Sequence, residues 1–333
     1  MKRIVCVMFG WFIFLISICA SANDSIARVA AGGITFLKSE DIQMAQEVLE
    51  ISTKSIKVQY LFHNESSNDI QATIAFPMPS FRWNSRESAY ETNVKPLKPF
   101  ATRVNSHPVP NTITKKATIK GRDVTGILRK IGLTDQQIFE TFAHCPPDYN
   151  GKHFELCDLT KKQQASLKKL GDWEVSETAL WEQVFPGNKT IEVLHEYVPF
   201  VGESYSRPYQ GRIGYVSNYW IKSGNSEACV DEGVNSAIHK QVKAYVDKGA
   251  TSVSVYQSEV EYILGTGRNW KGPIADFILR IKKESPDQLV SLCFPGKPKR
   301  ISTTVLEFSQ KNYIPQDKLV IYFYSVYGAP PRK

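Results

Sequence analysis

Ile56-Lys57-Val58-Gln59-Tyr60-Leu61-Phe62, followed after a polar gap by Ile70-Gln71-Ala72-Thr73-Ile74-Ala75-Phe76-Pro77-Met78-Pro79, is the stretch whose reading decides the fold. Ile56, Val58, Tyr60 and Phe62 alternate with Lys57, Gln59 and Leu61; Ile70, Ala72, Ile74 and Phe76 repeat the period. Successive strand side chains point to opposite faces, so this pattern predicts two strands, each with one buried face. The gap His63-Asn64-Glu65-Ser66-Ser67-Asn68 is rich in turn formers, and the expectation is an antiparallel hairpin. Pro77 and Pro79 end the second strand because proline has no N–H to give to a ladder.

Downstream the period changes. Val124, Ile127, Leu128 and Ile131 recur at three and four residues, which is a helical stripe, and Gly132 breaks it. Thr134 with Gln137, and Thr160 with Gln163, read as capping boxes opening further helices; Gly171 closes the last. Ile191, Val193 and His195 then alternate as a strand. A helix is expected over 233–248, with Val234, Ile238, Val242, Tyr245 and Val246 on one face and Gly249 as its stop. Val253 and Val255, Phe277 to Ile281, Leu289 to Phe294 and Leu319 to Val326 read as strands, the last apolar on both faces as in a central strand. The expected fold class is α+β, with β-sandwich-like antiparallel sheets and a helical insertion. The expected divisions are 1–22 signal peptide, 23–121 N-terminal β-rich region, 122–185 helical insertion, and 186–333 C-terminal β-rich region with one helix.

The chain opens on Met1-Lys2-Arg3, an apolar run from Ile4 to Ile18, and Ala20-Ser21-Ala22. Positive start, short apolar core and small-residue exit are the secretory signature, and cleavage is expected after Ala22. The rival is an uncleaved anchor, but the apolar run is short for a bilayer span of ~20 residues. Removing Lys2 and Arg3 lowers the net charge from +8 to about +6, which does not call for a nucleic-acid partner. An extracytoplasmic chain, periplasmic or secreted and without a stable membrane anchor after cleavage, is the expectation.

Of six cysteines, Cys6 and Cys19 leave with the signal. Cys145, Cys157, Cys229 and Cys293 remain, an even number that in an exported chain implies disulfides with three connectivities. Cys145–Cys157 and Cys229–Cys293 are favoured: the first closes a short polar loop, the second ties a helical segment to a C-terminal strand. His144 and His153 flank the first pair, yet the spacing matches no common zinc pattern, and no metal or cofactor is expected.

The sequence holds no Gly-x-Ser-x-Gly, His-Glu-x-x-His or phosphate-binding glycine loop. Glu259 and Glu261 point the same way from a strand and could pair in a cleft; an exposed strand face is the plainer reading. His195, beside Tyr197, would need a nucleophile or water in reach to act as a base; a structural histidine bonded to backbone is the alternative. Aromatic residues near turns, Trp83, Trp181, Trp220 and Trp270, either pack in the core or stack on a ligand. Gly265-Thr266-Gly267-Arg268-Asn269-Trp270 reads as a tight corner whose glycines permit positive φ, with Trp270 on the sheet and Arg268 and Lys271 facing solvent. The rival makes Trp270 a stacking platform. Trp181, His195, Tyr197, Arg268 and Trp270 are therefore the candidate binding residues.

Four stretches occur together: Asn23-Asp24-Ser25 followed by Gly32-Gly33; Phe76-Pro77-Met78-Pro79; Trp181-Glu182-Gln183-Val184-Phe185-Pro186 with Val193 to Pro199; and Tyr262 through Ile274. In order and spacing they resemble a bacterial exported family of unknown function, domain of unknown function 4424. The resemblance covers nearly the whole mature chain. It implies export and brings no activity, ligand or catalytic residue. The reading is an exported, non-enzymatic binding or interaction protein, its partner a protein or a carbohydrate. The alternatives are a secreted effector acting on a host target, exported by Sec then type II secretion, and a secreted hydrolase.

Overall fold

The computed structural model describes residues 23–30, 33–82, 100–139, 159–209 and 228–330. The cleavage site's upstream half, Trp83, Trp220 and the Cys145–Cys157 loop with His144 and His153 lie outside them.

Three sheets carry the chain. The first runs β10 (Arg122–Asp123), β9 (Thr112–Ile119), β11 (Glu174–Phe185), β5 (Ile70–Pro77), β1 (Ser25–Ala30), β2 (Gly33–Leu37), with β6 (Phe81–Arg82) also on β11. The second runs β17 (Lys299–Arg300), β18 (Val305–Tyr313), β15 (Ile274–Lys282), β3 (Ile42–Ile51), β4 (Ile56–Asn64), β12 (Thr190–Tyr197), β7 (Ala101–Val104), β8 (His107–Val109). The third runs β13 (Val201–Tyr209), β14 (Ser252–Ile263), β19 (Lys318–Ala329), β16 (Leu289–Leu292). Pairing is antiparallel except between β15 and β3. Mostly antiparallel sheet with few helices makes the chain α+β.

The strands over 56–62 and 70–76 form where the alternation puts them, with Ile56, Val58, Tyr60 and Phe62 all buried. They are not a hairpin. β4 pairs with β3 and β12, β5 with β1 and β11, so residues 65–69 carry the chain from one sheet to another. The reason is burial: Tyr60, Phe62, Ile74 and Phe76 meet in one core, to which all three sheets contribute. The parallel crossing from β11 to β12 is tied to this one. Asn64 donates to the Phe185 carbonyl (2.8 Å), Asn188 N–H to the Ser66 carbonyl (2.8 Å) and Gly187 N–H to Asp69 (2.9 Å). A Cβ at Gly187 would stand 2.3 Å from the Ser67 carbonyl oxygen, so only glycine lets the crossings touch.

Three helices, α1 (Thr125–Ile131), α2 (Asp135–Phe139) and α3 (Lys161–Leu170), build a smaller core on β9 and β11 around Leu128, Ile138 and Trp173. Both capping boxes form, Thr134 with Gln137 and Thr160 with Gln163. Helix does not continue to residue 185, however. Residues 174–185 are β11, twelve residues in the middle of the first sheet. Its inward positions alternate strictly: Val175, Glu177, Ala179, Trp181, Gln183, Phe185. Two of these are polar, which hid the period; Glu177 is matched there by Lys115 at 3.0 Å.

The last helix, α4 (Glu232–Asp247), is N-capped by Asp231, which accepts from Val234 N–H at 2.8 Å. Its apolar face covers the third sheet through Ile238 and Val242, against Val253, Val255, Tyr322 and Tyr324. β19 lies between β14 and β16 and is buried on both faces from Leu319 to Tyr324, as a central strand must be. Cys229 and Cys293 are bonded, Cα atoms 5.0 Å apart, and tie the start of α4 to the segment after β16. Among the described residues no helix is long and apolar enough to cross a membrane.

Candidate functional site

A buried polar cluster lies where the three sheets meet, and its centre is Asn23-Asp24-Ser25, each without solvent exposure. Asp24 receives Nε2 of His195 on both carboxylate oxygens, at 3.0 and 3.2 Å. With that proton on Nε2, Nδ1 accepts from the Thr102 hydroxyl at 3.3 Å. His195 is wholly buried and ringed by Tyr60, Phe76, Phe100 and Trp181, with ring centroids 4.9–6.0 Å away. Its ring nitrogens bond to side chains, those of Asp24 and Thr102. Burial raises the Asp24 carboxyl above its ordinary value, and His195 opposes that rise.

Glu47 is the second buried acid. One of its oxygens accepts from the Asn23 side-chain amide at 3.1 Å; the other, Oε1, has no partner. Burial pushes its carboxyl up to about 8, with the Asp24 carboxylate adding to the rise and the Asn23 bond opposing it. A bulge places this acid inside. β3 slips register between Met44 and Gln46, so the inward set changes from Ile42 and Met44 to Glu47, Leu49 and Ile51. Tyr60 donates to the Asn23 side-chain oxygen and lies 3.2 Å from the Tyr262 hydroxyl.

The corner at 265–270 is the receptor for this tripeptide. It is a short 3₁₀ turn, Gly265–Asn269. Thr266 Oγ1 donates to the Asn23 carbonyl, Trp270 Nε1 to the Asp24 carbonyl at 2.6 Å, and Asn269 Nδ2 to Ser25 Oγ at 3.0 Å. Neither Gly265 nor Gly267 takes the positive φ expected of them; Gly272 does, at 68°. Gly267 is needed for space instead, since a Cβ there would lie 2.9 Å from Asn23 Nδ2 and 3.1 Å from Pro315 Cγ.

The expected binding residues thus divide. Trp181, His195, Tyr197 and Trp270 are core residues, each less than 5% exposed, and present no surface to a ligand. They lie near turns in sequence, but their strands carry them inward. Arg268 is partly exposed and is engaged with the Pro315 carbonyl (2.7 Å) and Asp317. Lys271 pairs with Glu65 at 2.6 Å. Glu261 faces Lys318 at 3.4 Å. Among the described residues no group of His, Cys, Asp and Glu could hold a metal.

An open groove lies elsewhere. The face of the third sheet that packs Val260, Tyr262, Ile321 and Phe323 into the core runs on beyond it, and there carries Tyr256, Ser258, Ser325 and Tyr327. Tyr256 pairs with Ser325 and is a diagonal neighbour of Tyr327; the two rings meet edge to face at 5.5 Å. Both are exposed, by 45% and 59%. The hollow holds about 490 Å³, walled by Val198–Val201 with Glu203 on one side and Glu284 with Gln288 on the other. A neighbouring hollow of about 350 Å³, bounded by Tyr245 of α4 and by Lys248 just after it, shares Gln288, Ser325 and Tyr327. Gln288 is fixed in place, donating to Ser325 Oγ (3.2 Å) and accepting from Glu284 N–H (2.9 Å). Neither tyrosine has a sequence neighbourhood that distinguishes it from the core tyrosines of β14 and β19; the signal is only that the buried face outruns the core.

A search of curated proteins finds no match to the chain. Among solved structures, a similar chain is a candidate nutrient-binding protein from Legionella pneumophila subsp. pneumophila str. Philadelphia 1. The two share 13% identity and a TM-score of 0.42, over 91% of this chain and 70% of that one. A family model described as Domain of unknown function (DUF4424) matches residues 22–322, which takes in Asn23-Asp24-Ser25, Phe76 to Pro79, Trp181 to Pro199 and Tyr262 to Ile274, and the chain belongs to that family.

Proposed function

We propose that the protein is an exported, non-enzymatic binding protein, built on β-sandwich-like sheets, whose ligand lies in the Tyr256–Tyr327 groove. The observation that carries this reading is the pair of exposed tyrosine rings beside the Gln288 amide, held on Ser325, and the Ser258 hydroxyl. Aromatic faces bind the C–H faces of sugars, while amides, hydroxyls and acids such as Glu203 and Glu284 take their hydroxyl groups. The ligand class we infer is a mono- or disaccharide. The Cys229–Cys293 bridge supports an oxidising compartment.

The hydrolase alternative has less support. Its base, His195, is walled in by aromatic rings and already bonded at both nitrogens. Isothermal titration with a panel of mono- and disaccharides tests the proposal. Binding by wild type that falls at least tenfold in Tyr327→Ala, with an unchanged melting temperature, is the expected result. No binding across the panel, or binding indifferent to Tyr327→Ala and Tyr256→Ala, overturns it. Binding of short peptides in place of sugars would move the ligand to another class.

A further inference from the structure

One oxygen of the buried Glu47 carboxyl lacks a hydrogen-bond partner, and the residue bonded to the other, Asn23, is the one expected to become the first of the mature chain. We propose that the α-amino group of Asn23, freed by cleavage after Ala22, is the partner of Glu47, so that the new N-terminus is a structural ion locking the three sheets together. The proposal rests on the reading of export and cleavage given above.

Geometry carries it. The Asn23 side-chain amide is 3.1 Å from Glu47 Oε2, and Glu47 Oε1 is buried and unpartnered. The α-nitrogen is three bonds from that amide carbon, so at most roughly 8 Å separates it from the same carboxylate oxygen. Asn23 is held from other directions too. Thr266 binds its carbonyl, Tyr60 binds its side-chain oxygen, and Gly267 leaves it room. The residue is seated like a ligand in a receptor.

Charge carries it as well. The titratable groups of the cluster are Asp24 just before β1, Glu47 on β3, Tyr60 on β4, His195 on β12 and Tyr262 on β14, and the Glu47 charge also reaches Tyr313 of β18. His195 is bonded to Asp24. Among the described residues no cation pairs with Glu47, and burial favours the neutral form of such an acid. Hydrolysis of the Ala22–Asn23 amide adds water, leaving a carboxylate on Ala22 and an ammonium on Asn23. That ammonium brings a positive charge and three N–H donors where the amide offered one. An acid and an amine brought together in a dry site favour each other's charged forms.

Export and folding are then coupled: the full lock exists only in the processed chain. Three forms test this: one beginning at Asn23, one retaining Ala20-Ser21-Ala22, and one beginning at α-acetylated Asn23. The first is expected to melt several degrees above the other two at pH 7. Glu47→Gln should lower the melting temperature of the first form and leave unchanged or raise that of the extended form. The native Asn23 amine should react with an amine-acylating reagent at least tenfold more slowly than in urea, while surface lysines react freely. Equal melting of all three forms, the same Glu47→Gln effect in each, or an Asn23 amine as reactive as a surface amine overturns the proposal. If the extended form does not fold, the labelling result and Glu47→Gln in the processed form decide. N-terminal sequencing of exported protein separates the two readings, because a chain that keeps residue 22 refutes the cleavage, whatever the amine does in the first form.

Discussion

Replacing Trp270 by alanine measures how much the corner at 265–270 contributes to the fold. Trp270 is 4% exposed, with its ring centroid 4.5 Å from Phe62 and 5.9 Å from Phe185. Truncating a buried aromatic of this size costs about 3–5 kcal/mol through lost transfer energy and the cavity left behind. The indole also donates to the Asp24 carbonyl, and leaving that buried acceptor unpaired adds about 1 kcal/mol or more. The sum is near 5 kcal/mol, against a total stability of roughly 5–15 kcal/mol for a domain. Trp270→Phe keeps most of the ring packing and loses the bond, so it should cost about 1–3 kcal/mol. Urea unfolding followed by far-ultraviolet circular dichroism reads both values. Arg268→Ala is the neighbouring control: its contacts are with a surface carboxylate and one carbonyl, worth about 1 kcal/mol or less. A Trp270→Ala protein within 1 kcal/mol of wild type would refute the lock and return Trp270 to the exposed-platform reading.

Other expectations follow from the same geometry. Gly267→Ala should lower stability by about 1–3 kcal/mol, since its methyl would press on Asn23 and Pro315; a thermal melt unchanged from wild type would contradict that. Reducing Cys229–Cys293 should cost about 4 kcal/mol in the chain-entropy model for a separation of 64 residues, read as the fall in urea midpoint on adding dithiothreitol to the Cys145→Ser, Cys157→Ser double variant. In an N-terminally extended chain, Glu47 keeps in the folded state a proton that the unfolded chain has lost above its ordinary 4.5. Stability is then highest below that pH and declines as pH rises toward about 8, by roughly 5 kcal/mol at most. Glu47→Gln should abolish the decline; urea midpoints between pH 4.5 and 8.5 that fall equally in both proteins would count against it.

Much of the architecture is legible in the residues because burial has a period. The alternation in β4 and β5, the capping boxes, the apolar face of α4 and the two-faced burial of β19 follow local pattern directly. Partner choice does not. Ile56–Phe62 and Ile70–Phe76 have the same pattern whether they pair with each other or bury their faces in a common core, and only the contacts made by Asn64, Asp69 and Gly187 distinguish these outcomes. β11 was masked by Glu177 and Gln183 at inward positions: Glu177 is matched there by Lys115, far off in sequence, and Gln183 donates to the neighbouring Val184 carbonyl. Glu47 was illegible for a different reason: a one-residue bulge reverses the inward set of β3, and no local signal at residues 44–46 marks it.

Asn23-Asp24-Ser25 and Gly265–Trp270 are separated by some 240 residues and meet as ligand and receptor. Each buried polar group in that contact carries a desolvation cost that an apolar pair would avoid. The cost is offset here by hydrogen bonds that only this pairing can complete, and so the contact specifies a single arrangement of three sheets. Its position also constrains how binding should be tested. Tyr262, at the lock, and Tyr256, at the groove, lie on the same face of β14, six residues apart, or roughly 20 Å at strand rise. A substitution at the lock therefore loosens the strand that floors the groove, and loss of ligand binding in such a variant says nothing about contact with ligand. Tyr327→Ala removes an exposed ring at the far end of β19 and leaves the lock intact. Ligand binding that persists in Tyr327→Ala would place recognition outside the groove, while binding lost in Tyr327→Ala and kept in Trp270→Ala, at matched folded fraction, would place it within.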